Sequence, residues 1–135
     1  MPIEICNPDT LKKPTGLYSV MTRVRGGELI FLCGMAGDDG EPDDSPGLDE
    51  FDRQCNRVYR SIGAALAGAG ASYANIVQFT TYLVDRADIP RFMNYRKREF
   101  PRLFPNKAYP PSTLAVVSAL ADEHYRIEVQ TVAAL

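Results

Sequence analysis

A chain of 135 residues, 45% hydrophobic and 24% charged, carries apolar material for one globular domain and gives no reason for a second. Its net charge of −2 at pH 7 argues against a nucleic-acid binder, because phosphate binding by counterion release needs clustered Lys and Arg. No apolar run approaches the ~18 residues of a membrane helix, and M-P-I-E-I-C-N lacks the basic and apolar regions of a secretory leader, so a cytoplasmic protein is expected.

In chain order, Tyr18 to Val24 is rich in β-formers, and L-I-F-L-C, Leu29 to Cys33, is a short apolar strand joined to it by a hairpin turn at Arg25-Gly26-Gly27. A Gly- and Pro-containing loop then gathers Asp38, Asp39, Glu41, Asp43, Asp44, Asp49, Glu50 and Asp52. It lacks the D-x-[DN]-x-[DN]-G spacing of a calcium loop and reads as a solvated segment with acids near a helix N-terminus. Leu48, Phe51, Cys55, Val58, Ile62, Ala65 and Ala69 recur at three- and four-residue steps, the mark of a long amphipathic helix, which Gly68 or Gly70 closes.

Ile76 to Val84, I-V-Q-F-T-T-Y-L-V, follows as a strand. Asp88 reads as the N-cap of a second helix with Pro90 in its first turn, running to Phe100 and ended by Pro101. Two more strands, Ser112 to Ser118 and Tyr125 to Val132, flank the turn A-D-E-H. In the last, Tyr125, Ile127, Val129 and Thr131 share one face and Arg126, Glu128 and Gln130 the other. The order β-β-α-β-α-β-β describes a single α+β domain, residues 1–135, with two helices packed on one face of a mixed sheet. The other face mixes polar and apolar residues, as a subunit interface would, so self-association is expected.

Cysteine and histidine point away from metal and thiol chemistry. Cys6, Cys33 and Cys55 form no C-x-x-C pair, and His124 is the only histidine. Cys55 falls on the apolar stripe of the first helix and Cys33 at the end of an apolar strand, where a free cysteine packs as a small hydrophobe.

P-T-G-L-Y-S, F-L-C-G-M, A-G-A-S, T-T-Y-L-V-D, the Asp88 to Asn94 spacing, P-P-S-T and the final R-I-E-V, in this order over nearly the whole chain, resemble the Rid family, also called YjgF or L-PSP. The resemblance implies a chorismate-mutase-like fold, a homotrimer with pockets between subunits, and enamine or imine deamination of a small-molecule metabolite without metal or organic cofactor. It implies a catalytic role for Glu128, positioning the water that attacks the imine carbon, and a substrate-binding role for Tyr18 and Asn94. The family's P-A-R-[ST] motif reads Pro110-Pro111-Ser112-Thr113, so Ser112 stands where the resemblance places the arginine that holds the substrate carboxylate. Ser112 and Thr113 then shape the pocket.

A serine does not replace a bidentate guanidinium, and losing a charge-assisted hydrogen bond costs about 1.5–3 kcal/mol. Either the substrate differs from a simple imino acid or another basic residue reaches in. Arg23 and Arg25 alternate to the face opposite Tyr18, Arg126 shares a face with Glu128 and pairs with it, and Arg96 reads as a solvated helix position. Tyr18 and Asn94 also fit plainer roles, as a half-buried strand tyrosine and a helix asparagine bonded to backbone. Two other functions compete with a hydrolase: a non-catalytic homotrimer that binds a metabolite or partner, and an endoribonuclease. The second is disfavoured, because there is neither a basic surface run nor a histidine pair for acid-base cleavage of RNA.

Overall fold

The last strand organises the sheet, because its alternating apolar face lets it be buried at the centre and paired along both edges. A computed structural model describes residues 3–37, 43 and 45–135. Strand β7 (Ile127–Ala134) pairs antiparallel with β3 (Leu29–Phe31) and β4 (Met35–Ala36) on one edge and with β5 (Ile76–Leu83) on the other. Beyond β5, the strand β6 (Ser112–Val116) runs parallel to it, and the crossover that a parallel pair requires is helix α2 (Asp88–Leu103). The sheet is therefore mixed, and α2 and the longer helix α1 (Glu50–Gly68) pack on it.

A strand not expected from the sequence, β1 (Ile3–Cys6), pairs antiparallel with β2 (Met21–Val24) in a separate ribbon. Here the expected hairpin is corrected: β2 pairs with β1, and β3 pairs with β7. Gly26 and Gly27, at φ +70° and +84°, turn the chain between two sheets. Gly27 is also pressed against the Leu135 carbonyl, where a Cβ would collide. The ribbon is tied to the main sheet at Val77, where a bulge interrupts the β5–β7 register and the Thr22 hydroxyl donates to the Val77 carbonyl at 2.9 Å.

Helix α1 begins as its sequence requires, with the Asp49 side chain accepting from the Asp52 amide. It closes in a Schellman motif: the Ala71 amide bonds to the Leu66 carbonyl, the Gly70 amide bonds to that of Ala67, and Gly70 has φ +74°. Asp38, Asp39, Glu41 and Asp44 of the acidic loop lie outside the described residues.

Helix α2 differs at both ends from its sequence reading. Ala87 is the N-cap and Asp88 the first helical residue, because the Asp88 carboxylate is drawn into an ion pair instead of capping the turn. Pro101 does not stop the helix, which continues to Leu103. The carbonyl deprived of its helical partner belongs to Lys97, an exposed residue.

The core lies between helices and sheet. Phe51, Cys55, Val58, Ile62 and Leu66 of α1 meet Phe79, Leu83, Ile127 and Val129 of the sheet, all at most 1% exposed. Tyr59, Phe79, Tyr95, Phe100 and Phe104 form an aromatic cluster with centroids 5.3–6.2 Å apart. Each such side chain contributes about 1.5–3 kcal/mol on burial.

Candidate functional site

Residues directly opposite in a sheet share a face, so the register sorts the side chains. Ile127, Val129, Thr131 and Ala133 of β7 are buried under the helices, and Glu128, Gln130 and Val132 alternate to the helix-free side. Glu128 stands in a row with Ala36, Tyr82 and Ala115, and the next row holds Gln130, Thr80 and Thr113. This face is bordered by Leu29 and Phe31, which are 53% and 73% exposed.

Glu128 is placed by the packing of its side chain and by the anchoring of the chain that enters its strand. Its carboxylate lies against Gly34, in the break between β3 and β4, where an added Cβ would come within 2.8 Å of the carboxyl carbon. From the helix side, the buried Gln54 of α1 donates to the His124 carbonyl and accepts from the Arg126 amide, both at 2.8 Å. One amide thus satisfies two backbone groups at the entrance to β7. The Glu128 carboxylate accepts no hydrogen bond from the described residues, and its half-buried position holds an acceptor ready for a water or a substrate N–H.

The remaining expected site residues lie on different surfaces of the chain. Thr113 shares the face of Glu128, one row away. Ser112 pairs with Phe79, itself opposite Thr131, and so falls in a row on the helix side. Asn94 is exposed on α2, and Tyr18 is exposed beside Gly16.

Two readings of the arginines are corrected. Arg126 does not pair with Glu128. It lies before β7 begins, crosses the Phe51 ring at 5.2 Å and binds Asp88 through Nε at 3.1 Å and Nη2 at 2.6 Å. Arg96 is not a solvated residue: it is 6% exposed and stacks on Phe92 at 5.1 Å. Burial lowers its pKa, opposed by Tyr59 and Tyr18.

The sequence pattern gives no role to Gly34 or Tyr82 and misplaces Arg96 in solvent. Tyr82 was findable from the period-two alternation of I-V-Q-F-T-T-Y-L-V. The contact of Gly34 with Glu128 depends on a pairing remote in sequence.

Cys55 is buried and its thiol pKa is pushed well up by desolvation, so it stays protonated. Cys33, expected to pack, is exposed. His124 is exposed and meets Asp122 at 3.0 Å. Among the described residues, no three His, Cys, Asp or Glu side chains are grouped to hold a metal ion, and no helix is long and apolar enough to cross a membrane.

Two helices packed on one face of a mixed sheet give the Rid/YjgF type of α+β fold. The chain belongs to this family: the model described as Endoribonuclease L-PSP matches residues 10–135. It is 28% identical over 124 residues to the RutC family protein YjgH of Escherichia coli, covering 86% of this chain and 88% of that protein. The crystal structure of YyfB from Yersinia pestis, of the conserved Rid protein family, superposes with a TM-score of 0.83 at 21% identity over the whole of both chains. E. coli TdcF, solved with bound serine, gives 0.66 at 20% identity over 98% of each.

Proposed function

We propose that this protein is a small-molecule hydrolase of the imine or enamine deaminase type, working in pockets between the subunits of a homotrimer. The observation that carries the reading is Glu128: a carboxylate near the start of β7 on the helix-free face, set against Gly34 and engaged by no donor among the described residues. Such a carboxylate accepts a proton from water as the water oxygen bonds to the polarised carbon of a C=N group. Protonated Glu128 returns that proton to the nitrogen of the tetrahedral adduct, the adduct's hydroxyl proton follows, and the C–N bond breaks to release ammonia and leave a carbonyl. Imine and water are consumed, and ketone and ammonia are formed.

The exposed Leu29 and Phe31 at the edge of this face support burial against further copies. The free thiols of Cys6, Cys33 and Cys55 support a cytoplasmic, reducing setting. Cleavage of RNA is disfavoured by the net charge of −2 and by a single histidine, exposed and engaged with Asp122. The rival reading, a binding assembly without catalysis, draws on Ser112 standing at the arginine position and turned to the helix side.

The test follows the decay of a freshly generated 2-imino acid and of an imine that carries no carboxylate. With Ser112 at the arginine position, wild type should be poor on the first and accelerate the second, and Glu128→Gln should slow that turnover at least about tenfold, while light scattering gives three chain masses for both proteins. A wild type that leaves both decays unchanged overturns the enzyme reading in favour of the binding assembly, and a monomer across micromolar concentrations removes the intersubunit pocket.

A further inference from the structure

We propose that Arg96, together with the loop of Thr15, Gly16 and Leu17, forms a binding site for a small carboxylate. Four arginines lie on α2, and three of them are neutralised by carboxylates: Arg91 by Asp88, Arg98 by Asp52 and Arg102 by Glu99. Arg96, the most buried of the four, has no carboxylate among the described residues. Its Nε is buried without a partner, and the adjacent Nη2 meets only the Met93 sulfur, at 2.9 Å. Nε and Nη2 form the edge of a guanidinium that takes both oxygens of a carboxylate. A buried charge is ordinarily paired, because desolvation is otherwise uncompensated, and stacking on Phe92 and Phe100 recovers part of that cost.

Beside this side chain is a cavity of about 110 Å³ lined by Thr15, Gly16, Leu17, Met93, Arg96 and Lys97. At about 30 Å³ per water, that is room for roughly four water-sized groups, enough for a carboxylate and a short carbon chain. The lining selects the chemistry. Arg96 and Lys97 supply positive charge and Thr15 a hydroxyl, whereas Leu17 and Met93 offer apolar walls that favour an alkyl carboxylate over a fully polar phosphate. The lowered pKa of Arg96 has burial as its first cause, and a bound anion would reverse that shift.

Propionate serves as the probe, with inorganic phosphate at matched ionic strength for comparison, because neither carries a C=N bond and binding is read apart from any turnover. Calorimetric titration should show propionate bound by wild type, at least about tenfold weaker binding by Arg96→Met and weaker binding by Arg96→Lys, which keeps the charge but loses the fork. Without ligand, Arg96→Met should melt no lower than wild type, since an unpaired buried charge is replaced by an apolar side chain of similar length. Absence of propionate binding, equal binding by either variant, or phosphate bound as tightly as propionate overturns the proposal. Should Arg96→Met fail to fold, the Lys variant alone decides it.

Discussion

Arg126 closes its guanidinium on both oxygens of Asp88, 38 residues away, at 3.1 and 2.6 Å. The pair joins the entrance of β7 to the first turn of α2, and Asp88 also takes Arg91 at 2.9 Å while remaining fully buried. The ion pair therefore sets how α2 sits on the strand that carries Glu128.

Asp88→Asn keeps the shape of this side chain and removes its charge. Arg126 then keeps only the weaker pull of Asp49 and Asp85, and a half-buried guanidinium loses most of the compensation for its desolvation. A loss of about 3 kcal/mol is expected, the low end for a broken buried pair because Arg126 stays a third exposed. Urea denaturation of the two proteins at pH 7 measures it. Coincident curves would show that the Phe51 stacking alone holds Arg126.

Asp43 should control the acid limb of stability. The Ser45 hydroxyl first, then the Ser45 amide and the Asn56 side chain, hold its carboxyl at about 2 against the usual 3.8, with Arg60 adding to the effect and burial opposing it. Asn56 in turn accepts from the Tyr95 hydroxyl, so the loop is tied through α1 to α2. A carboxyl lowered in the folded state stabilises fully above its unfolded pKa, and this contribution disappears as pH falls through the folded value. Asp43→Asn should therefore be less stable than wild type at pH 6, with the gap closing between 3.8 and about 2. Thermal melts across that range provide the measurement, and a gap independent of pH would contradict the assignment.

Periodicity made the fold legible and left the site only half legible. The three- and four-residue steps of α1 and the alternation of β7 each describe an element whose apolar residues need one surface to bury them, and local chemistry suffices for that. The pairing of β2 with β1 was not legible, since Arg25-Gly26-Gly27 suits a tight hairpin as well as it suits a corner between sheets. Arg126 alternates with Glu128 on paper, yet the strand begins one residue later and its side chain follows the charge of Asp88. Arg96 defeats inspection for a related reason. Its burial depends on the loop of Thr15 to Leu17, some eighty positions earlier, and a helix pattern carries no record of what lies over it.

Gly34 offers the sharpest handle on Glu128. A methyl group there would overlap Oε2 and lie 2.8 Å from the carboxyl carbon and 3.0 Å from Cγ. Those atoms are the flexible end of a side chain, so Gly34→Ala should be accommodated by swinging the carboxylate away, with little effect on folding. Catalysis is less forgiving, because displacing a positioned group by about 1 Å can cost a hundredfold in rate. The expected result for the proposed imine hydrolysis is a drop in kcat of about tenfold to a hundredfold, at nearly unchanged KM and denaturation midpoint. A loss confined to kcat marks the geometry of the water-orienting carboxylate. Full turnover by Gly34→Ala would mean that Glu128 acts from another rotamer, and that its contact with the glycine is packing and nothing more.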